Sequence, residues 1–283
     1  MTRVATDMEL VDLIARLQLK FGTDLSSYRL NCLKRRISLR MSTLRIESFD
    51  AYLAHLSSDS EEIERLLDTI TIHVTEFFRD AEVFEAIAGE VLPGVVERIK
   101  RRAAGALRVW SAGCSTGEEA YSLAIVILEY MRSRRVDLGL EVFATDISKE
   151  ACRIGRRGIY DRRKMDRIPP PLRDRYLETV PEGFRVAATV RRAVLFSAHD
   201  LFERAPYGEL DMVVCRNVLI HFDHVVRNDV IRGFHGALVR GGMLMLGKTE
   251  AITGSAGTLF ELVDPKIKLY QSVCSVLPEG GNR

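Results

Sequence analysis

The sequence has little of what marks most specialised classes of protein. Only 7% of its 283 residues are aromatic, with a single tryptophan, and no basic stretch is interleaved with exposed aromatics, so a base-stacking nucleic-acid surface has no support. Its five cysteines, Cys32, Cys114, Cys152, Cys215 and Cys274, lie tens of residues apart with no CxxC pair, which argues against both a disulfide framework and a zinc site. Reduced thiols are expected. The formal net charge is only +2, so any electrostatic footprint must be local. The most apolar helical stretch, Tyr121 to Met131, is too short to span a bilayer, and Met1 to Glu9 lacks the basic start and apolar core of a signal peptide. Low-complexity segments and internal repeats are absent too. The expectation is a soluble cytoplasmic protein with no membrane insertion and no nucleic-acid partner.

With 47% hydrophobic and 28% charged residues, the chain can build one large or two smaller cored domains. Its organising stretch is Val109-Trp110-Ser111-Ala112-Gly113-Cys114-Ser115-Thr116-Gly117-Glu118-Glu119-Ala120-Tyr121-Ser122, read as a buried strand, a small-residue loop and the first turn of a helix. Glycines here let backbone approach a ligand closely. A phosphate-binding loop would put Lys and then Ser or Thr after its last glycine. This loop puts Glu118 and Glu119 there instead, where they suit the helix dipole and a ligand carrying an amino group. The next strand, Glu141 to Ser148, ends on Asp146, where a βαβ unit places an acceptor for ribose hydroxyls. As the other reading, Asp146 caps the following helix, although Ser148 already serves as N-cap for Lys149 to Arg156.

Residues 1 to about 80 read as helical. Leu10, Ile14 and Leu17 form one stripe; in Tyr28 to Met41, residues Leu30, Leu33, Ile37 and Met41 recur at helical spacing. Arg29, Lys34, Arg35, Arg36 and Arg40 are left around the other faces. Such a run is either a solvated face or a docking surface for an acidic partner. Next come Phe77, Phe78 and Arg79, just before a helix capped by Asp80: the aromatics read as core contacts joining two domains, and Arg79 as a planar fork held for a carboxylate.

After the second strand, Gly158 to Ala198 leaves simple βα alternation. Two short extended stretches around Pro181-Glu182-Gly183 suggest a small antiparallel appendage. Asp200-Leu201 and Arg216-Asn217 follow strands and belong at the carboxyl edge of the sheet, where ligands bind. Asp223 caps a helix expected to stop at Gly241-Gly242, and a last strand, Ile267 to Val273, lies antiparallel beside Met243 to Leu246. The fold class is α/β, a doubly wound sheet.

With these residues in view, the chain resembles the CheR-type chemoreceptor glutamate methyltransferases. The resemblance rests on YRLNCLKRRISLRM, TEFFRD, WSAGCSTGEEAYSLA, ATDIS, CRNVLIHFD and LGKTE, in the family's order over nearly the whole chain. It implies a Rossmann-like S-adenosylmethionine-dependent methyltransferase domain over 81–283 with an inserted small antiparallel β-subdomain near 160–198. An all-α N-terminal domain over 1–80 docks the substrate. Carried over by the resemblance, cofactor contacts fall on His73, Thr75, Arg79, Glu119, Asp146, Asp200, Leu201, Arg216 and Asn217. His73 stands where relatives often have asparagine. Glu119, in preference to Glu118, takes the amino group of the cofactor's methionine part. Arg79 orients the substrate carboxylate.

His221 replaces the tyrosine usual near the reacting centre, and Ala120 a usual proline. In the tyrosine's place, His221 would make activity change across roughly pH 6 to 7. No metal is implied; His221 with His224 lacks a convincing third ligand. Partners implied are the cytoplasmic helical domains of chemoreceptors, met by Arg29, Lys34, Arg35, Arg36 and Arg40, with the enzyme a monomer. Two readings compete with the glutamate methyltransferase: a methyltransferase with a different acceptor, and a non-catalytic S-adenosylmethionine-binding adaptor.

Overall fold

The computed structural model describes residues 7–21, 25–59, 61–70 and 75–273. The chain divides into two units, Met1–His73 with Ile220–Arg227, and Val74–Leu219 with Asn228–Arg283.

The first unit is built on four helices, α1 (Asp7–Phe21), α2 (Leu30–Leu44), α3 (Phe49–Ser58) and α4 (Glu62–Ile70). Each turns one stripe inward: Leu10, Leu13, Ile14 and Leu17 from α1, Leu33, Ile37 and Met41 from α2, Tyr52 and Leu56 from α3, Leu66 and Ile70 from α4. Burying each such leucine stabilises the unit by about 2 kcal/mol. Leu30, expected on the inner stripe, is 40% exposed; it is the first residue of α2, and the inward row starts at Leu33. At its other end α2 closes on Arg45 in the left-handed conformation, with Ile46 N–H donating to the Met41 carbonyl at 2.9 Å, a C-cap that satisfies an otherwise orphaned acceptor.

The second unit opens with α5 (Ala81–Ala86), a π-helical turn over Ile87–Val91 and α6 (Leu92–Arg101). Asp80 occupies the N-cap position of α5 without capping it: no side-chain cap hydrogen bond forms, because its carboxylate is drawn to Arg216 and Lys248. The main sheet then alternates with helices: β1 (Ala106–Ala112), α7 (Glu118–Arg134), β2 (Gly139–Asp146) and α8 (Lys149–Arg157). After them comes the appendage, with β3 (Ile159–Tyr160), α9 (Pro170–Tyr176), β4 (Leu177–Val180) and β5 (Gly183–Val186), and then α10 (Ala188–Ala193), which packs against α7 and β6 (Val194–Ala198). The chain returns through β6 (Val194–Ala198), β7 (Leu210–Cys215), α11 (His224–Ala237), β8 (Leu238–Leu246), β9 (Phe260–Asp264) and β10 (Leu269–Ser272).

Seven strands pair in the order β6-β2-β1-β7-β8-β10-β9. The first five are parallel, and β10 runs antiparallel to both neighbours. Strand order reverses at β1, which has β2 on one side and β7 on the other, the switch point where an open α/β sheet leaves a crevice at its carboxyl edge. All six residues of β7 are buried, as a central parallel strand requires.

The appendage is a three-stranded antiparallel sheet in the order β3-β5-β4, with Pro181–Gly183 turning β4 into β5. Val194–Ala198, the strand that leads toward Asp200, pairs with β2 as an edge of the main sheet, so the appendage, expected to reach residue 198, ends before it. α11 stops at Ala237 rather than at the glycine pair. Gly241 and Gly242 lie inside β8, where Leu210 pairs with Leu238 but Met212 with Met243. Gly241 has φ +74, and a Cβ on Gly242 would meet the Val239 carbonyl oxygen at 2.9 Å, so the glycines serve a strand irregularity. The sequence reading missed β9, whose Glu261, Leu262 and Val263 are all exposed and therefore carry no alternation signal.

Candidate active site

The loop after β1 is held by the end of β2. The Thr145 carbonyl accepts from both Gly113 N–H and Cys114 N–H at 2.8 Å, while its hydroxyl accepts from Trp110 Nε1 at 2.9 Å. Gly113 and Gly117 have φ of +75 and +97, a conformation costly for residues with a Cβ. A Cβ on Gly113 would meet Val218 Cγ2 at 2.5 Å, and one on Gly117 the Phe196 ring at 2.8 Å. Both glycines therefore permit close packing of the loop against its own fold, where the sequence suggested only room for a ligand.

Asp146, at the carboxyl end of β2, is 8% exposed. Its Oδ2 accepts from Ser115 N–H at 2.8 Å and its Oδ1 from Ser148 N–H at 3.0 Å. Ser148 caps α8 through Ala151 N–H, which leaves Asp146 to join the glycine loop to the start of that helix. A carboxylate oxygen carries two acceptor sites, the chemistry that paired hydroxyl donors require.

The two acids of the first turn of α7 diverge. Glu118 is fully buried, pairing with Lys164 and accepting from Thr116 Oγ1 at 2.7 Å. Glu119 faces the other way. Its Oε1 accepts from Ser111 Oγ at 3.1 Å, and its Oε2 lies 3.3 Å from Arg216 Nη1. Burial pushes the Glu119 carboxyl up, and the Arg216 charge and the Ser111 hydroxyl only partly oppose it. A buried carboxylate so placed gains from an additional cation.

Arg216, just past the end of β7, gathers the site. Its side chain is 2% exposed. Nη1 also donates to the Arg79 carbonyl at 3.2 Å, Nη2 pairs with Asp80, the guanidinium sits 5.9 Å from the Phe84 ring centroid, and Nε is buried without a hydrogen-bond partner. Next in sequence, Asn217 is left-handed with φ 61. Its N–H donates to Glu250 Oε2 at 2.9 Å, which also accepts from Gly247 N–H at 2.6 Å.

Asp200 Oδ1 accepts from Phe202 N–H at 3.0 Å, and His199 N–H donates to the Asp146 carbonyl at 3.0 Å, setting the end of β6 beside that of β2. Thr75, Arg79 and Leu201 are half-buried. Phe77 packs on Tyr160 and Phe184, and Phe78 on Phe84, so within this unit they tie the Arg79 segment to the appendage and to α5. His73 lies outside the described residues.

The remaining predicted residues belong to the first unit. Arg29, Arg35 and Arg36 line a concavity of about 680 Å³ with Asp7, Asn31, Cys32 and Asp223, and Lys34 pairs with Asp7 at 2.9 Å. Arg40 stands apart from them. Its guanidinium closes on the fully buried Glu62, with Nε 2.8 Å from Oε1, and Tyr52 donates to the same oxygen at 2.9 Å. Glu62 also belongs to a His55–Asp59–Glu62 group with ligand atoms within 4.8 Å of one another, but Arg40 and Arg65 already occupy its carboxylates. His221 lies with this unit, its Nδ1 3.9 Å from Cys32 Sγ. Burial, then the charges of Arg36 and Arg29, pulls its pKa below the usual imidazole value.

Sequence reading missed Glu250, Lys248 and Lys164. LGKTE stands out in the sequence as a motif, but only the fold places Glu250 under Asn217 and Lys248 beside Asp80. Nothing local marked Lys164, 46 residues from the acid it meets.

Acceptor carboxylates in the first turn of α7 and at the end of β2, with an orphaned donor on Arg216, suit a ligand bearing vicinal hydroxyls at one end and an amino acid at the other; S-adenosylmethionine has both. Comparison with known proteins agrees. The CheR methyltransferase SAM-binding domain model matches residues 73–268, and the CheR all-alpha domain model residues 8–71. A chemotaxis protein methyltransferase of Borreliella burgdorferi is 32% identical over 88% of this chain and 90% of its own. Chemotaxis protein methyltransferase 1 of Pseudomonas aeruginosa is 38% identical over 67% of this chain and 70% of its own. The chain is a member of the CheR methyltransferase family, an S-adenosylmethionine-dependent enzyme with an all-α domain ahead of its Rossmann-like catalytic domain.

Proposed function

We propose that the chain methylates glutamate side chains of chemoreceptors, giving methyl esters that adjust receptor signalling. The observation that carries this reading is the single network in which Arg216 binds both Glu119 and the Arg79 carbonyl. It puts an acid suited to the cofactor's amino group and an arginine suited to a carboxylate substrate on one rigid support.

S-adenosylmethionine supplies an electrophilic methyl group on a sulfonium. Glu119 receives its ammonium, Asp146 its ribose hydroxyls, and Thr75, Asp200, Leu201 and Asn217 line the remainder. The acceptor glutamate, with a reference pKa of about 4.3, is ionised at pH 7 and needs no general base. Arg79 holds one carboxylate oxygen and leaves the other to attack, so alignment and exclusion of water carry the rate.

In this reading residues 1–80 form the docking domain, and Arg29, Arg35 and Arg36 meet acidic helices of the receptor's cytoplasmic domain. The enzyme works as a cytoplasmic monomer. Among the described residues no helix is long and apolar enough to cross a membrane. The test is incubation with methyl-labelled S-adenosylmethionine and receptor-bearing membranes, followed by mild alkali. Label released as methanol is expected. Alkali-stable label would point to a different acceptor atom, and binding without label on any receptor to a non-catalytic module.

A further inference from the structure

Glu118 has no exposed surface, and its cation comes from the appendage. Lys164 sits in a short turn, Arg162–Met165, two residues past β3. It pairs with Glu118 Oε1, and its ammonium lies 5.7 Å from the Tyr160 ring centroid. Tyr160 donates its own hydroxyl to the Thr116 carbonyl at 2.7 Å. The loop that leads into α7 is therefore gripped twice from the appendage, at the Thr116 backbone and at the Glu118 carboxylate. Tyr160 also stands edge-on to Phe77 at 5.0 Å, two residues before Arg79.

Glu118 and Glu119 are consecutive acids in a largely buried first turn. Charges out of water need their own partners, and these two have separate ones, Lys164 and Arg216. Without Lys164 the Glu118 carboxylate is a buried charge left with the Thr116 hydroxyl, and it must turn toward water. That change moves the first turn of α7, and the next residue in that turn is Glu119.

We propose that Lys164 is a positioning residue for the amino-acid end of the cofactor, acting through Glu118 on Glu119, with Tyr160 fixing the same loop. The appendage is by this account a structural wall of the cofactor site. Coupling of this kind is reciprocal, so whatever engages Lys164 alters cofactor affinity and the cofactor alters that engagement in turn. The inference rests on the reading of Glu119 as the acceptor for the cofactor's ammonium group.

The experiment is calorimetry on the full chain with two probes, S-adenosylhomocysteine, which carries the amino-acid end, and 5′-methylthioadenosine, which lacks it. Lys164→Met is expected to weaken S-adenosylhomocysteine about tenfold, as loss of one charge-assisted support would, while methylthioadenosine stays within about twofold. Lys164→Arg keeps the charge and should restore the first affinity. Equal weakening of both probes, or unchanged S-adenosylhomocysteine binding, overturns the proposal. If Lys164→Met does not fold, Lys164→Gln, which keeps a donor for the Glu118 carboxylate but not its counter-charge, must show the same selective loss. Glu119→Gln separates the two readings. If it spares S-adenosylhomocysteine, the assignment of Glu119 fails; a selective loss there with none in Lys164→Met sinks the role of Lys164 alone.

Discussion

Arg216 Nη1 lies 3.3 Å from Glu119 Oε2 while the same guanidinium holds Asp80 and the Arg79 carbonyl. One buried cation thus joins the start of α7 to the segment carrying Arg79. A lysine has no second nitrogen with which to span those partners. Arg216→Lys is expected to cost about 3 kcal/mol of unfolding free energy, because Glu119 and Asp80 lose a shared partner. Cofactor affinity should fall with it. Urea unfolding checks the first expectation, and unchanged stability would show that the network is not carrying the loop.

Arg79 contributes to that network through its carbonyl, which any side chain leaves in place. Arg79→Ala should therefore keep cofactor binding within about threefold while turnover falls about 100-fold, since a misaligned substrate loses much of the benefit of positioning. Single-turnover kinetics beside calorimetry separates the two quantities. Equal losses in both would contradict the role given to Arg79.

Glu119 has its pKa raised, chiefly by burial. In the folded state it takes a proton more readily than in the unfolded chain, so its contribution to stability declines as pH rises from the ordinary carboxylate range through the folded pKa. Glu119→Gln removes that decline. Compared with the parent, the ligand-free Gln variant should lose less stability between pH 4 and about pH 7, yet bind S-adenosylmethionine more weakly. Parallel stability profiles across that interval would refute the buried-acid account.

Much of this was legible in the sequence, and for identifiable reasons. The glycine loop with Glu118 and Glu119, the acid ending β2 and the Ser148 cap are local patterns, written within a few residues. The partners of those acids are not local. Glu118 finds its lysine in the appendage, Asn217 rests on Glu250, and Asp80 gives up its cap for Arg216. The α11 boundary failed because two glycines that read as a helix stop serve an irregular strand. The basic helix misled at Arg40, where periodicity cannot distinguish a solvated arginine from one that folds inward onto a buried acid.

His221 ties the stability of the fold to pH through its burial. Burial and the neighbouring Arg36 and Arg29 lower its pKa, so the folded ring stays neutral while an unfolded histidine, at about 6.5, takes up a proton. Stability is therefore lost as pH falls through about 6.5 toward the folded pKa. His221→Tyr should flatten that loss, read as a smaller drop in Tm from pH 7.5 to pH 5.5. An activity change that depends on ionisation of His221 belongs at a lower pH than that of a free imidazole. A Tyr variant with the parent's acid sensitivity would show that this ring does not report on the fold.

The arginines of α2 separate into two kinds, and the separation is measurable. Burial pushes the Glu62 carboxyl up, but hydrogen bonds from Arg40 and Tyr52 outweigh it and hold it below the usual range. A depressed carboxylate stabilises the fold above its unfolded pKa, and that contribution disappears as pH falls through the folded value. Arg40→Ala strands a buried charge and should cost about 3 kcal/mol at pH 7, with a smaller difference from the parent in acid. Arg35 and Arg36 line the open concavity instead, where charge steers and screens readily. Arg35→Glu and Arg36→Glu should leave Tm within about 2 °C, as surface substitutions do, while weakening receptor-membrane binding at low salt and flattening its salt dependence. The reverse pattern, with Arg40→Ala neutral to folding and Arg35→Glu neutral to binding, would return Arg40 to the docking face and reduce Arg35 to a solvated charge.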